Sequence, residues 1–537
     1  MSKKVLLERG ERYRWHTKNG MSLKGFVFDA DNELCSIEQV LHQFENATSL
    51  QEIEGVLSGL DGSFSTINET PEGIILVADF MNAFPIFYTW KDGSWLVSDN
   101  SYKLLEILGQ KKCNQNAFAE FEGAGFVLGN QTLVQDIFKT QAAEIVILKP
   151  DGSRNSKVYS RWLPHTFFEM DRQELKGKLA HLLEWASEKF VKSLKHRHVV
   201  VSLSGGYDSR LIACMLKNNG YQNVTCLTYG RPSQESFLAE KVARQLGYKW
   251  VFVNYEEIDI EGYLESQTFN DYYNHAANLY SMPYIQDYFA VKHLKENNLV
   301  ADDSLFVHGH SGDFLGGSYM NKTARTKTPK SELPRYIFEK YYNFGSYFSQ
   351  GKKQVIKRLE DWFSENHVEE LTQHPETNFW VEEWDIKEKL SKFIFQSVQV
   401  FSFFGYGFRL PLWGKPLRDF FRQVPVEYRK NKNLYDEVLI ENFFKPNGVY
   451  FETSEINLTP VFSKLGQVKK YLKSLAPQPL LDKLIVKNDV ICYEKLTAPM
   501  KKQIEGISNF KTKKTFCFNN IICKWYVETI NQKLQCK

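Results

Sequence analysis

The chain has no run of about 18 apolar residues, and its opening Met-Ser-Lys-Lys-Val lacks the apolar stretch of a secretory signal. Both absences predict a soluble, cytoplasmic protein. The eight cysteines show no metal-ligand spacing, so reduced thiols are expected, with Cys517 and Cys523 read as buried residues. A concentrated basic excess is missing too. The 67 Lys and Arg residues stand against 64 Asp and Glu, a formal charge of +3. That balance argues against a nucleic-acid or anionic-membrane partner. The basic runs Lys322 to Lys330 and Lys511 to Lys514 read as solvated faces or loops. Neither an internal repeat nor a low-complexity linker is visible. No Gly-x-x-x-x-Gly-Lys-Ser/Thr occurs, which excludes a Walker loop.

What is present is a globular composition, 43% hydrophobic, in 537 residues. That is too long for one compact core, so two or three domains are expected. Residues 1–165 read as short strands joined by turns, at Leu23 to Phe28, Gly62 to Ile67, Gly73 to Asp79, Ile86 to Trp90, Trp95 to Ser98 and Ala143 to Leu148. The first core strand is placed about twenty residues into the chain. From Arg172 long amphipathic helical patterns alternate with apolar strands at 198–203, 223–228 and 249–254. The predicted class is α/β: an antiparallel β-rich N-terminal domain, then over 172–537 a doubly wound parallel sheet with a helical C-terminal part. The aromatic stretch Phe401 to Phe408 reads as packing core.

The densest chemical signal is Val199-Val200-Val201-Ser202-Leu203-Ser204-Gly205-Gly206-Tyr207-Asp208-Ser209-Arg210. An apolar strand runs into Ser-Gly-Gly-x-Asp-Ser and then into a helix whose stripe is Leu211, Ile212, Met215 and Leu216. Paired glycines let the backbone approach an anion closely, and the helix start offers free N–H groups and a positive dipole end. The pattern suits pyrophosphate, hence cleavage of ATP between its α and β phosphates. Asp208 is out of place beside phosphates unless a metal lies between them, and Mg2+ is the natural bridge. The bland reading is a glycine-rich turn with Asp208 as helix cap. A second glycine-rich turn, His308-Gly309-His310-Ser311-Gly312-Asp313-Phe314-Leu315-Gly316-Gly317, follows the apolar Leu305-Phe306-Val307. It is expected beside the first, at the carboxyl ends of the strands.

These turns and the domain order resemble the asparagine synthetase family, in which a class II glutamine amidotransferase-like, Ntn-type domain precedes an ATP-pyrophosphatase domain. Ser204 to Ser209 matches the family's S-G-G-x-D-S loop. Gly309 to Gly317 is similar to G-x-G-x-D-E-x-x-G-G, one residue shorter and with Phe314 where an acidic residue is common. Arg409-Leu410-Pro411-Leu412 is similar to R-x-P-F, with Gly407 where a glutamate is usual. The resemblance implies an ATP- and Mg2+-dependent ligase that joins a small-molecule carboxylate to ammonia or an amine. By that resemblance Asp208 and Asp313 would hold magnesium, while Ser204, Gly205, Gly206, Ser209 and Gly309 would bind ATP and pyrophosphate. A catalytic lysine falls in Lys430-Asn431-Lys432-Asn433-Leu434-Tyr435, with Lys432 favoured over Lys430 by its spacing to Leu434-Tyr435. An exposed lysine loop, and an Asx-turn at Asp313, are the structural alternatives. Glu235 stands where relatives open a helix with an acid, and a helix-terminal charge explains it equally well.

In the N-terminal half, Leu60-Asp61-Gly62-Ser63-Phe64, Asp79 to Tyr88 and Leu96-Val97-Ser98-Asp99 look like amidotransferase segments. The glutaminase chemistry is expected to be lost. The family's glutaminases use a cysteine directly after the initiator methionine, whose own amine serves as base, and here that residue is Ser2. Nitrogen would then come from free ammonia, a separate amidotransferase partner or an amine on the substrate, and a homodimer stays open. Two competing readings are an ATP-pyrophosphatase acting on another substrate such as transfer RNA, and a non-catalytic binding partner.

Overall fold

The computed structural model describes the chain except residues 1–3, 9, 11, 46, 48, 110, 111, 165, 320–329, 345–350, 367–376, 452–487, 508–517 and 535–537. Ser2, Cys517, the run from Lys511 to Lys514 and most of that from Lys322 to Lys330 lie outside the described residues.

Among the described residues the N-terminal half contains ten strands: β1 (Lys4–Leu6), β2 (His16–Lys18), β3 (Met21–Phe28), β4 (Asp61–Thr70), β5 (Gly73–Ala78), β6 (Phe87–Lys91), β7 (Ser94–Ser98), β8 (Phe138–Lys139), β9 (Glu144–Leu148) and β10 (Arg154–Val158). A six-stranded sheet runs β10-β9-β5-β4-β3-β2, and a four-stranded one β1-β7-β6-β8. Ile67, Ile74, Leu76, Val146 and Leu148 of the first meet Ile86, Tyr88, Trp95 and Val97 of the second in one apolar layer. Helices Ile37–Phe44 and Leu50–Ser58, each started by a serine capping box, cover the outer face of the larger sheet. Helices Ser101–Leu108 and Gln115–Ala124 add Tyr102, Leu105 and Phe121 to a core that holds Phe87 and Leu96 of the smaller.

The first core strand expected near residue 20 is β3, with Met21, Leu23 and Val27 buried; ahead of it β1, only partly buried, starts at Lys4 and pairs in parallel with β7, Lys4 opposite Leu96. Three residues are too few to show a period of two, and only the pairing reveals the strand.

The second half carries a five-stranded parallel sheet, β13-β12-β11-β14-β15, from β11 (Val199–Ser202), β12 (Val224–Gly230), β13 (Lys249–Asn254), β14 (Leu305–Val307) and β15 (Gly407–Arg409). Val199 and Val201 point to one core and Val200 to the other, so the strand reads as an unbroken apolar run. Helices Arg172–Ser193, Tyr207–Asn218 and Gln234–Leu246 cover one face; Gln267–Ala277 and Tyr288–Glu296 cover the other. The fold is therefore the mixed α/β class expected.

Two expectations are overturned here. The region after Gly317 is not wholly helical, because Gly407–Arg409 adds an edge strand beside β14. The aromatic residues before it do pack as core, with Phe401 stacked 4.4 Å from Phe306. Nor are all thiols reduced. Cys113 is disulfide-bonded, whereas Cys35, Cys214, Cys226, Cys492 and Cys523 form no disulfide; linear spacing does not show which Cβ atoms meet. Among the described residues no helix is long and apolar enough to cross a membrane.

Gly407 shows why a larger residue is absent at this edge. A Cβ there would stand 2.5 Å from Leu305 Cδ2 and 3.2 Å from Arg12 Nε. Gly407→Val is expected to cost about 1–3 kcal/mol through overpacking, read as a lower urea midpoint at unchanged slope.

Candidate active site

β11 ends at Ser202, and the chain turns through Ser204 to Gly206 before helix Tyr207–Asn218 begins with Gly206 as its cap. No side chain caps this helix start, so its first N–H groups stay available to an anion. The turn is held from inside. Ser204 N–H donates to Ser209 Oγ at 3.0 Å, the two serine hydroxyls lie 3.0 Å apart, and Gly206 N–H donates to Ser204 Oγ at 3.2 Å. Below it, the buried Arg210 donates to the Gly205 carbonyl at 2.9 Å and to that of Val449 at 3.0 Å.

The second glycine-rich turn lies against the first, as expected. A Cβ on Gly309 would stand 2.5 Å from the carbonyl carbon of Asp208 and 2.6 Å from Ser209 N, so only glycine lets the backbones approach. Asp313 opens the short helix Gly312–Gly316, and its N–H donates to Asp208 Oδ2 at 2.9 Å. Asp208 Oδ1 accepts from the Tyr435 hydroxyl at 3.1 Å. Burial first, and the Asp313 carboxylate second, push the Asp208 carboxyl up to about 7.

Lys432 follows Asn431, both with left-handed backbone (φ 59° and 60°), just before helix Asn433–Leu439. Its Nζ donates to Asp436 Oδ1 at 3.1 Å. Burial pulls the ammonium's pKa down, but Asp436, and then Asp208 and Asp313, outweigh it, and the net shift is upward. Lys432 therefore enters the site as a cation.

Ser204, Gly205, Gly206, Asp208, Ser209, Gly309, Asp313 and Lys432 all line one cavity of about 690 Å³. Glu235 lines it too, in the first turn of helix Gln234–Leu246, while Lys430 is not on its wall. Phe314 is core rather than site: it is fully buried and packs 6.1 Å from Trp162 and 6.0 Å from Trp413.

Sequence reasoning missed the far end of the cavity, formed by Tyr229, Tyr284, Gln286, His308 and His310. The two imidazoles stack with centroids 4.2 Å apart and planes 6° from parallel. His310 Nε2 lies 2.8 Å from Ser397 Oγ and His308 Nε2 3.4 Å from Ser202 Oγ. Burial lowers both histidines, His310 to about 4, so both are neutral near pH 7. Behind this wall the Tyr229 hydroxyl donates to the buried Asp287 at 2.5 Å. The histidines flank Gly309 and were open to notice, and Tyr435 served only as a landmark for Lys432, but Tyr229 and Gln286 carry no motif and arrive only through folding.

Among the described residues no three acidic, histidine or cysteine side chains converge as a metal cage. Asp208 and Asp313 are the pair that could hold a cation. A carboxyl lifted to about 7 beside a second acid suits a hard divalent ion whose remaining oxygens come from water and phosphate.

The family model for asparagine synthase matches residues 178–441. No curated protein sequence matches the chain. Among solved structures, an NH3-dependent NAD synthetase from Campylobacter jejuni is 17% identical, covering 37% of this chain and 95% of its own, with a TM-score of 0.19. A glutamine phosphoribosylpyrophosphate amidotransferase from B. subtilis is 13% identical over 47% of this chain and 73% of its own, with a TM-score of 0.20. An NMN synthetase from Francisella tularensis is 12% identical over 37% and 96%, with a TM-score of 0.18. Residues 178–441, which hold the Ser204–Ser209 turn, Asp313 and Lys432, form a domain of the asparagine synthase family.

Proposed function

We propose that this chain is an ATP-dependent, AMP-forming ligase that makes an amide bond. The observation that carries the reading is the convergence of an intact Ser-Gly-Gly-Tyr-Asp-Ser turn, Asp313 and Lys432 on one cavity. A substrate carboxylate oxygen attacks the α phosphorus of ATP, the bond to the bridging oxygen breaks, and pyrophosphate leaves. Ammonia or an amine then attacks the acyl carbon and gives up a proton, and AMP departs with the electrons of the broken carbon–oxygen bond. The N–H groups at the start of helix Tyr207–Asn218, which no side chain caps, would grip the pyrophosphate oxygens. Lys432 would balance the charge that builds on the leaving phosphates. Magnesium, held by Asp208 and Asp313, would supply Lewis-acid stabilisation of the same oxygens.

The far end of the cavity presents hydrogen-bonding groups but no fixed charge among the described lining residues, since its histidines are neutral. That favours an acid whose remaining groups are uncharged, such as a sugar acid, over aspartate. The N-terminal half supports an ammonia or amine donor rather than glutamine. Asp99, at the end of the amidotransferase-like segment, is already engaged by Glu8 N–H at 2.9 Å, Trp15 Nε1 at 2.8 Å and Lys24 Nζ at 2.9 Å. Asp79 likewise accepts from the backbone N–H groups of Phe64, Met81 and Ala83. A homodimer or a separate amidotransferase partner fits this reading equally.

ATP–pyrophosphate exchange with magnesium, run against a panel of carboxylic acids including aspartate and uronic acids, tests the proposal. One acid should support exchange, Asp208→Ala should abolish it, and Ser2→Ala should leave it unchanged. Exchange with no acid would favour a non-catalytic role. Lys432→Ala should lower the exchange rate about a hundredfold or more while the protein stays folded by circular dichroism.

The acid pair gives a separate expectation. A carboxyl raised in the folded state costs stability above its ordinary range, and the cost grows as pH climbs from the ordinary 3.8 to about 7. Asp208→Asn removes that cost. Its stability gain over the wild type should therefore widen by about 1–2 kcal/mol between about pH 5 and about pH 8, discounted for the contact Asp208 keeps with the cavity. Magnesium should raise the wild-type melting temperature and leave Asp208→Asn unmoved.

A further inference from the structure

Arg409 closes β15 and is only 5% exposed. Its Nη1 donates to the Phe408 carbonyl at 2.8 Å, and its guanidinium carbon stands 4.0 Å from the centre of the Phe26 ring. Its Nε has no hydrogen-bond partner. The charged groups that act on it are cations, Arg197 and Arg12, while the Tyr13 hydroxyl is a hydrogen-bond partner of the guanidinium. Burial first, and those two arginines, lower the Arg409 pKa to about 10 against the opposing pull of Tyr13. The carboxylate on the adjoining wall, Asp61, is spent: it accepts from Arg418 Nη2 at 2.9 Å and from Lys415 N–H at 2.5 Å. Gly407, two residues before Arg409 on the same strand, brings no acid either.

A guanidinium does not shed its proton near neutral pH. A buried cation without a counter-charge is costly, and one aromatic face returns only part of that cost. Arg409 also borders a cavity of about 60 Å³, walled by Phe26, Phe80, Phe190, Phe395 and Trp413. On this measure a water needs roughly 10–15 Å³, so the space suits a group of about four heavy atoms. The cavity therefore pairs an unmatched buried cation with an apolar wall.

We propose that this cavity binds a small monocarboxylate of about the size of acetate, its carboxylate facing the Arg409 guanidinium and its carbon end against the aromatic wall. The ligand would sit on the seam between the two halves of the molecule, since Phe26 belongs to β3 and Arg409 to β15. It would also neighbour the main cavity, because Trp413 Nε1 donates to the His310 carbonyl at 2.8 Å. The proposal stands apart from the ligase reading and uses none of its residues.

Thermal unfolding of the full chain tests it, with acetate, chloride or the bulky anion gluconate compared at constant ionic strength. Acetate should raise the wild-type melting temperature by about 2–4 °C over gluconate. Arg409→Met, which removes the unmatched charge, should melt higher than the wild type in gluconate and show no acetate response. Met81→Phe, which narrows the cavity with the guanidinium in place, should also lose the response and covers the case in which Arg409→Met does not fold. An acetate shift retained in either variant, no shift in the wild type, or an equal shift with chloride would overturn the carboxylate site.

Discussion

The synthetase half depends on one close approach, the turn after β14 pressed against the backbone of Asp208 and Ser209. There is no room for a side chain at Gly309, and that contact sets the position of everything else in the cavity. It aims the N–H of Asp313 at Asp208, fixes the separation of the two acids, and turns His308 and His310 toward the far wall. Tyr435 and Lys432 then reach in from a separate segment, on a pair of left-handed residues that end one helical stretch and start the next. The charge arrangement follows from this packing. Two acids crowd one end of a cavity, a lysine faces them, and the opposite end is held neutral by burial.

Much of this was legible in the sequence, for physical reasons. Strands buried on both faces must be apolar throughout, so Val199 to Val201 and Leu305 to Val307 stood out, and a glycine-rich turn after such a strand has few other uses. Every residue proposed to touch ATP or magnesium lines the same cavity. What failed to show was whatever depends on pairing alone. β1 and β15 are three residues each and carry no periodicity, and the Cys113 disulfide leaves no trace in spacing. The neutral wall was hidden because Tyr229, Tyr284 and Gln286 are ordinary residues until the end of β12 meets the connection before helix Tyr288–Glu296.

The shortened second motif also takes on a physical meaning. Phe314, in place of an acid, fills a pocket between Trp162 and Trp413, so the turn is anchored by aromatic packing rather than by charge. Trp162 comes from the segment that links the two halves, and its backbone and indole N–H groups bind Glu383 and Glu382. Glu382 in turn holds the buried Arg429 through two bonds of 3.0 Å. A local change in the motif is thus absorbed by a network reaching well beyond the cavity.

The order of the parallel sheet carries a consequence for how the molecule is made. β14 lies directly beside β11, yet Asp313 and Asp208, which their ends bring together, are 105 residues apart in the chain. Loops of that length close slowly, and pairings of high sequence separation come late in folding. During synthesis the Ser204 turn would emerge long before its partner and wait, exposed, with half of its wall still to be translated. The capacity to hold a nucleotide would therefore appear late, and together with the completed sheet.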